Sequence, residues 1–466
     1  MKNLKKLVLT AVAGMIAATS FGQFTLSGEY RPRAEYRRGY KSVADTNQQN
    51  AFFIDQRTRL NLDYKVDDYE FYLSVQDIRT WGSNAQLNVS DGFMSVHQAW
   101  AKANFNKQWG VKLGRQEIIY DDHRMFGNVG WAQQARSHDA ALLQFRGEKA
   151  KLDVGVAFNQ NGPKLVGTDY SLGSSYRDMQ YAWFHMPFGK NVKMSLLALN
   201  LGQQVAVTNT AGNDHKSIQY TQTFGTHTKF IFGKFKAILN GYYQMGSASV
   251  TPVKSTSAYL LGLDLSYQIA EPFSIGLGYE TQSGTTQTDT TSAYNDVAHS
   301  FNPYFGTNHK FNGFMDYFYV GNWGGNVGLQ DAYLKLKFKK GIWSAGLDVH
   351  LFMGGLGTEV LDAVSYTTAY TDLVTAGDQA GADALDMYSY TLPSMLGTEI
   401  DLSLGTKINK SVSVKAGYSH MLASETLATL NGVLNTSGPD AGRGRTDQIN
   451  NWGYVMVIIK PTFLKK

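Results

Sequence analysis

The feature that most constrains this chain is a regular alternation of apolar and polar residues, which recurs from its N-terminal part to its end. In the stretch 109–146, for example, Val111 and Leu113 alternate with Lys112. Such a period of two is the pattern of a β-strand whose two faces meet different environments. Because the pattern returns along most of the chain, it favours an all-β fold whose walls separate water from an apolar phase.

The connections between these strands are of two kinds, short and long. The short turns fall near 65–69, 106–109, 147–150, 187–191, 232–234, 269–273, 339–341 and 408–411. The long segments fall near 39–50, 81–94, 117–136, 161–175, 202–216, 247–256, 283–327, 353–395 and 422–448. Eight short turns make eight hairpins, and a first strand (24–38) and a last strand (449–460) bring the total to about eighteen. An even strand number with segregated loop lengths is the layout of bacterial outer-membrane barrels.

The sequence therefore predicts a transmembrane antiparallel β-barrel of about 18 strands, with long extracellular loops and short periplasmic turns. A soluble sandwich or propeller has no reason to place all short turns on one side, and no repeat of fixed blade length is present. The mean hydropathy of −0.28 and the aromatic content of 13% fit strands with one polar and one apolar face. Charged residues opposite lipid-facing ones need water, which predicts a wet lumen.

The N-terminus predicts export. A basic start (Lys2, Lys5 and Lys6) precedes an apolar run of about twelve residues, which is too short to span a bilayer and is typical of a Sec signal peptide. We expect a signal peptide at 1–22 and an outer-membrane β-barrel at 23–466, located in the Gram-negative outer membrane after Sec export. The chain has no cysteine, which excludes disulfides, thiol chemistry and a lipoprotein anchor.

Two segments resemble a known family. GRQEIIYDDHRMFGNVGWAQQARSHDAALLQF (114–145) and TNHKFNGFMDYFYVGN (307–322) are similar to stretches of the alginate export family of outer-membrane β-barrels. The resemblance implies an eighteen-stranded barrel whose lumen, lined with Arg and Lys, passes an anionic polyuronate. It also implies that the loop carrying Arg124 and Arg136 folds toward the lumen as a constriction. One departure is the C-terminus, where Phe463 is followed by three further residues although barrels of that family often end on an aromatic residue.

Strand parity and this resemblance give a set of candidate solute-binding residues in the lumen and constriction. They are Arg31, Arg33, Arg57, Arg59, Arg115, Arg124, Arg136, Arg146, Lys335 and Lys337, with Lys112, Lys151, Lys229 and Lys415 also on inward parity. Guanidinium groups bind carboxylates bidentately, and rings of basic side chains make pores favour anions. Arg115 shares the parity of the apolar Leu113, so it points inward only if a β-bulge intervenes.

An alternative interpretation of the same charges is structural. Acidic residues also have inward parity, namely Glu29, Asp55, Asp153, Asp264, Asp331, Asp348, Glu399 and Asp401. Acids and bases that face each other across a wide lumen pair and brace the barrel. The functional interpretation depends on the first third of the chain, where Arg31, Arg33, Arg57 and Arg59 outnumber nearby acids.

We predict an outer-membrane channel that passes anionic solutes by passive diffusion, either an acidic, uronate-type polysaccharide or oligosaccharide or small acidic solutes. One alternative is a general, weakly selective porin. A distant one is an outer-membrane lipid-modifying enzyme, which needs a Ser–His pair on the outward face that parity does not give. HExxH, GxSxG, P-loop and EF-hand spacings are absent. We therefore expect no enzyme activity, cofactor, metal or nucleic-acid partner; outer-membrane lipid is a partner, and a periplasmic partner stays open.

Two long loops allow alternatives. The loop 353–395 has six acids and no Lys or Arg, so it either binds a divalent cation or is a solvated acidic segment. In the loop 283–327, His309, Lys310 and Asp316 either form a lid contact or simply pack. The aromatic residues of that loop either stack on sugar rings or pack the loop against itself; they are Phe301, Tyr304, Phe305, Phe311, Phe314, Tyr317, Phe318 and Tyr319.

Overall fold

The structure, a computed structural model, describes part of the chain in separate stretches. They are residues 22–87, 92, 94–167, 176–208, 214–250, 252–318 and 326–466. The predicted signal peptide at 1–22, except for its last residue, lies outside the described residues, as does Tyr319. Within the described stretches, no helix is both long enough and apolar enough to cross a bilayer.

Eighteen long strands form one closed antiparallel sheet, which confirms the predicted transmembrane β-barrel. Each strand pairs with its successor in the chain, and the first also pairs with the last, which closes the cylinder. The strands are β1 Gln23–Arg38, β2 Ala51–Lys65, β3 Tyr69–Thr80, β4 Met94–Asn104, β5 Trp109–Gln116, β6 His138–Arg146, β7 Lys151–Phe158, β8 Asp178–Phe188, β9 Val192–Thr208, β10 Asp214–Phe232, β11 Phe235–Ser247, β12 Ser255–Ala270, β13 Phe273–Gln282, β14 Leu329–Lys340, β15 Trp343–Met353, β16 Met395–Lys407, β17 Val412–Ala423 and β18 Asn450–Ile459.

The burial pattern of the barrel is the reverse of that of a soluble protein. Leu261 and Leu277 on the outer face are 54% and 55% exposed, whereas Glu399 on the inner face is fully buried at 0%. An apolar exterior and a charged interior are stable together when lipid surrounds the cylinder. The chain is therefore an outer-membrane β-barrel, as the alternation predicted.

The short connections lie at 66–68, 105–108, 147–150, 189–191, 233–234, 271–272, 341–342 and 408–411. The long segment expected at 202–216 is different, because β9 and β10 extend into it. Gln203 pairs with Gln219, and the backbone register continues to Thr208 and Asp214. That expectation was wrong because polar residues at the tip of a hairpin can still form strand hydrogen bonds outside the membrane.

A proline interrupts the last strand near the C-terminus. After β18, Pro461 interrupts the strand, and a further strand, Thr462–Lys465, pairs again with β1. Proline lacks the N–H that a sheet ladder needs, so the interruption falls at this residue. Phe463 is exposed within that added strand.

The remaining regular elements lie in the long loops. The loop after β13 contains the helix Ser292–Asn295, the strand Val297–Ala298 and the 3-10 helix Asn308–Lys310. The loop after β15 contains the helices Ala363–Thr375 and Gln379–Asp383, the 3-10 helix Met387–Ser389 and a hairpin of Val360–Leu361 with Thr391–Leu392. The helix Glu425–Leu430 follows β17.

The acidic loop 353–395 uses its carboxylates to begin helices. The side chains of Asp362, Asp378 and Asp386 each accept a hydrogen bond from a backbone N–H in the first turn of a helix. Such N-caps satisfy donors that the helix leaves unpaired. In the described residues, no three or more His, Asp or Glu side chains lie close enough together to hold a metal ion. The loop therefore fits the structural alternative better than a cation site.

Candidate functional site

Two loops enter the lumen and pair with each other across it. They are residues 117–137, here the first plug loop, and residues 299–318, here the second plug loop; together they form the plug. The backbone N–H of Gly127 donates to the carbonyl of Phe305 at 2.8 Å. A parallel bridge joins Phe126 to the same residue. The two loops thus form one body inside the barrel.

The aromatic residues of the second plug loop pack the plug. Phe305 stacks on Phe126 with ring centroids 5.4 Å apart, and Trp131 stacks on His309 at 4.4 Å. Phe301, Phe305, Tyr317 and Phe318 are all buried. Of the two alternatives for these rings, packing therefore accounts for their positions, and stacking on sugar rings would need the plug to open.

The backbone of the first plug loop is strained. Asp121, His123, Val129 and Ala135 have positive φ values of 54°, 75°, 49° and 55°. The left-handed region is costly for non-glycine residues and especially for a β-branched one such as Val129. Contacts with the barrel wall must therefore hold this loop in place.

Arginines of β1 supply the first of these contacts. The Arg31 guanidinium donates to the carbonyl oxygens of Gly130 at 2.7 Å and Trp131 at 3.1 Å. Arg33 donates to the Trp131 carbonyl at 2.6 Å and lies over the Trp131 ring, 4.1 Å from its centroid. Charge-assisted hydrogen bonds are stronger than neutral ones, so these two side chains clamp the tip of the loop.

Arginines of β2 continue the clamp. Arg57 donates to the Gln133 carbonyl at 3.1 Å and to the Glu29 carboxylate at 2.7 Å. Arg59 donates to the side chain of Gln76 at 2.8 Å and to the Gln134 carbonyl at 3.4 Å. The four arginines that were predicted to bind a passing anion therefore bind the backbone of the plug and acids of the barrel wall. These contacts favour the alternative in which the charges brace the barrel.

Arg124 lies at the centre of the plug and is 1% exposed. It donates to the carboxylate of Glu280 on β13 and to the side chain of Asn312 at 3.1 Å, and it lies over the ring of Phe311. Burial lowers the pKa of Arg124 to about 10, although Asp122 opposes the shift. The family resemblance placed Arg124 at a constriction, and the structure places it in a buried ion pair there.

The other candidate arginines have individual roles. Arg136 donates to the Gly306 carbonyl at 3.2 Å and so joins the two plug loops. Arg146, at the inner end of β6, binds Asp153 at 2.5 Å. Arg136 lies in the plug and Arg146 on the inner face of the wall, and each already has an acceptor.

Arg115 lies on the outer face, so its assignment to the lumen was wrong. It pairs with Asp139 at 2.9 Å, and both side chains are exposed. The register between β4 and β5 runs without a shift, and that between β5 and β6 does too. Without a bulge, Arg115 keeps the outward parity of Leu113, which is 50% exposed.

Acidic residues of the first plug loop anchor it to the opposite wall. Asp121 accepts from the indole of Trp183 at 2.9 Å and from the hydroxyl of Ser195 at 2.5 Å. Asp122 accepts from Asn240 at 2.7 Å and lies 3.5 Å from His227. Burial alone would raise the pKa of Asp122, but the hydrogen bond and charge of His227 hold it below its usual range.

Ser195 and His185 do not form a catalytic pair, although His185 Nδ1 lies 2.9 Å from Ser195 Oγ. A nucleophilic serine gives its proton to histidine, whereas Ser195 donates to the carboxylate of Asp121. The arrangement therefore anchors the plug. Both residues also lie in the lumen, not on the lipid-facing side that an enzyme acting on lipid would use.

A cavity of about 920 Å³, here called the vestibule, lies between the plug and the short-turn end of β10–β15. Its lysines are Lys229, Lys234, Lys236, Lys310, Lys335 and Lys337. Lys335 lies 3.6 Å from Asp348, and Lys310 donates to the Asp122 carbonyl at 2.8 Å. For Lys229, Lys236 and Lys337, the described residues provide no ion-pair partner within 4.0 Å.

Acids also line the vestibule, and each already has a hydrogen-bond donor or, for Asp348, an ion-pair partner. They are Asp121, Asp122, Asp264, Glu280, Asp331 and Asp348. Asp264, for example, accepts from the hydroxyl of Tyr333 at 3.0 Å, and Asp331 accepts from His350 at 2.9 Å. The groups left free to meet a solute are therefore ammonium groups. Burial lowers the pKa of Lys310 at the top of the cavity, with Asp122 opposing the shift.

No protein-family model matches the chain, and no curated protein does either. Solved structures do match, over nearly the whole chain. OccAB4 of Acinetobacter baumannii superimposes with a TM-score of 0.58 at 9% identity, covering 94% of this chain and 98% of that one. OccK8 (OprE) of Pseudomonas aeruginosa gives 0.56 at 9% identity with 95% and 98% coverage. OpdK of Pseudomonas aeruginosa, solved with vanillate, gives 0.54 at 10% identity with 94% and 99% coverage.

At these identities the likeness shows the fold. The fold is that of outer-membrane barrels, since another structure of the same kind is titled "outer membrane protein opdK". The outer membrane of a Gram-negative bacterium is the location that the fold indicates. These neighbours support an outer-membrane β-barrel and do not show that the chain belongs to the alginate export family.

Sequence reasoning found part of this site. It identified Lys335, Lys337 and Lys229 from parity and considered Lys310 only as part of a lid contact, but it missed Lys234 and Lys236. The signal for Lys236 was its parity, which is opposite to that of the outward-facing Phe235 and Leu239. Lys310 gave no local signal, because it reaches the vestibule only when the second plug loop folds inward.

Proposed function

We propose that this chain is an outer-membrane channel through which small anionic solutes diffuse passively. The observation that carries the proposal is the vestibule, where Lys229, Lys236 and Lys337 have no acidic partner among the described residues. Unpaired cations beside a narrow passage raise the local concentration of anions and repel cations. With short turns on the periplasmic side, as in bacterial barrels of this kind, the vestibule opens toward the periplasm.

The use of lysine and not arginine affects the expected selectivity. An ammonium group is a compact point charge, whereas a guanidinium group matches a carboxylate through two parallel hydrogen bonds. The arginines that could provide such matching, Arg31 and Arg33, are occupied by plug carbonyls. We therefore expect attraction for anions in general, with little preference for one arrangement of carboxylates.

The dimensions of the plug and the vestibule favour a small solute. Two paired loops cross the lumen, and the vestibule below them measures about 920 Å³, which suits a solute of small or medium size. OpdK was solved with vanillate, a small carboxylate, and the proposal extends that class of solute to this chain. Passage of a uronate polysaccharide stays a prediction, and it requires the plug to leave the lumen.

A general, weakly selective porin is the second candidate. The observation in its favour is that six acids line the vestibule together with six lysines. If the acids offset the lysines for a passing ion, the channel discriminates little between anions and cations.

Reversal potentials in a potassium chloride gradient separate the two candidates. The purified barrel in a planar bilayer should prefer chloride, and the triple variant K229Q/K236Q/K337Q should lower that preference by roughly two- to fivefold. A matched control, K149Q/K190Q/K410Q, removes three exposed lysines at short turns outside the vestibule and should change it little. Cation preference in the unsubstituted protein would contradict the proposal, and equal effects of the two triple variants would favour the general porin.

A further inference from the structure

Two carboxyl groups on the inner face of β16 are buried beneath the plug and have no Lys or Arg partner within 4.0 Å in the described part of the chain. Glu399 is 0% exposed and Asp401 is 1% exposed. One oxygen of each is satisfied, because Glu399 accepts the backbone N–H of Met315 at 2.7 Å and Asp401 accepts from the hydroxyl of Ser419.

The second oxygen of each carboxyl group has no hydrogen-bond partner in the described part of the protein; the atoms are Glu399 Oε2 and Asp401 Oδ2. The two groups are within hydrogen-bonding reach of each other. Two buried carboxylates repel, whereas a single proton held between them satisfies both free oxygens and removes one charge. A carboxylic acid beside a carboxylate is the arrangement that satisfies these two atoms.

The surroundings favour this arrangement. On β15, His350 faces Glu399 and Asp348 faces Asp401 in the register. His350 is already hydrogen-bonded to Asp331 at 2.9 Å, and β17 places uncharged side chains opposite the pair. The plug contributes backbone N–H groups and Tyr317, a neutral phenol. None of the described groups facing the pair is a lysine or an arginine.

The second plug loop covers the pair directly. Gly313 has a φ of +82°, and a Cβ atom at this position would lie 2.6 Å from the carboxyl group of Glu399. The absence of a side chain thus lets the loop backbone rest on the carboxyl group, and Met315 completes the contact. Docking of the loop is what removes the pair from lumen water.

We propose that the proton shared by Glu399 and Asp401 latches the second plug loop to the barrel wall, so that the plug docks more tightly as pH falls and loosens as pH rises. The sign follows from linkage. The pair holds its proton more firmly when the plug covers it than when water reaches it, so the docked state binds more protons. The docking equilibrium then changes by up to about tenfold per pH unit over the range in which the uncovered pair is ionised and the covered pair is not.

Thiol accessibility tests the latch without relying on ion flow. The chain has no cysteine, so Met315→Cys gives a single reporter in the plug, and Lys410→Cys on an exposed short turn corrects for thiol ionisation. We measure maleimide labelling between about pH 5.5 and pH 8.5. The corrected rate at position 315 should rise by about tenfold or more across this range.

Two variants and one control make the result specific. In Met315→Cys with Asp401→Asn, the asparagine amide donates to Glu399 without a titrating proton, so labelling should be slow and nearly independent of pH. The double variant Glu399→Gln/Asp401→Asn, if it folds, should also be labelled at position 315 at a rate that is nearly independent of pH. Asp348→Asn removes a neighbouring acid that pairs with Lys335 at 3.6 Å and should keep the pH dependence.

Either of two results would overturn the proposal: a corrected rate that does not change with pH in the unsubstituted pair, or an unchanged pH dependence in Asp401→Asn. Since labelling reports plug docking and not ion selectivity, a failure here leaves the proposed channel function standing. A channel without anion preference would likewise leave the latch intact.

Discussion

At the scale of single residues, the plug is held by side chains that bind backbone carbonyls. Four arginines of β1 and β2 each bind a carbonyl oxygen of the segment 130–134. A buried carbonyl without a donor is unfavourable, and a guanidinium group left without acceptors is more so. The clamp therefore makes the plug conformation and the wall depend on each other.

This dependence changes what removal of the β2 arginines should do. Arg57→Ala with Arg59→Ala leaves the Gln133 carbonyl without its donor and leaves the Gln134 carbonyl with only the Gln76 amide, so we expect a looser plug, more frequent opening events and a larger mean conductance. Single-channel recording in a planar bilayer measures this. Arg115→Gln, which removes an arginine from the outer face, is the matched control and should leave the recordings unchanged. A loss of anion preference without any change in plug openings would contradict the clamp.

The buried pair of Arg124 and Glu280 gives a second prediction at this scale. Glu280→Gln leaves the guanidinium charge buried without its carboxylate, and loss of one partner of a buried pair costs about 3–5 kcal/mol. Urea unfolding of the barrel in lipid vesicles measures the free energy of unfolding. Glu148→Gln, on an exposed short turn, should change it by less than about 0.5 kcal/mol. A similar small value for Glu280→Gln would mean that the pair contributes little to stability.

At the scale of elements, the strands and the plug differ in the sequence separation of the residues that determine their conformation. A strand such as β12 is recognisable because its alternation and its turn to β13 lie within a few residues of each other. The plug depends on contacts between residues far apart in the chain, such as Arg31 with Gly130, and its backbone has no periodicity. The barrel was therefore predictable, whereas the partners of its inward arginines were not.

The parity of Arg115 shows the same limit at smaller range. Whether the Arg115 side chain points outward or into the lumen depends on whether a β-bulge shifts the register, and a single sequence does not reliably indicate a bulge. In the structure the shift lies between Ser74 and Val75, where β3 pairs with β4. Likewise, the polar hairpin tip of β9 and β10 has the composition of a loop although its backbone is paired.

Removal of the first plug loop tests whether the barrel folds without this loop. Gln116 and His138, at its two ends, face each other in the register of β5 and β6. A two-residue Asn-Gly turn can therefore replace the loop and close the hairpin. We expect a folded barrel with a conductance raised several-fold, measured by heat-modifiable electrophoretic mobility and single-channel recording.

A control deletion of similar design is available in the acidic loop, because Leu361 and Thr391 also pair in a register. Replacing the residues between them with the same turn should leave the conductance near its original value. If the first plug loop deletion folds but conducts no better than this control, the plug is not the constriction.

At the scale of the whole molecule, the described charges are distributed unevenly along the barrel axis. The arginines of β1 and β2 lie at the level of the plug and bind its carbonyls, while the unpaired lysines of the vestibule lie at the short-turn end. An anion entering from that end meets the positive vestibule before the constriction, whereas an anion from the other end meets the plug first. A pore with charge at one mouth concentrates counter-ions when they are driven in through that mouth.

We therefore expect an asymmetric current–voltage curve for uniformly oriented channels, with the larger current when anions are driven in from the short-turn end. A difference of roughly twofold at 0.1 M salt is the expected scale, since the Debye length of about 10 Å is comparable to the size of the vestibule; at 1 M salt, where it is about 3 Å, the asymmetry should largely vanish. The variant K229Q/K236Q/K337Q should give a nearly symmetric curve at both salt concentrations, and K149Q/K190Q/K410Q should retain most of the asymmetry. An asymmetry that persists in the vestibule variant would mean that the plug, and not the lysines, causes it. The plug also differs between its two sides, but its effect on the current should respond little to added salt.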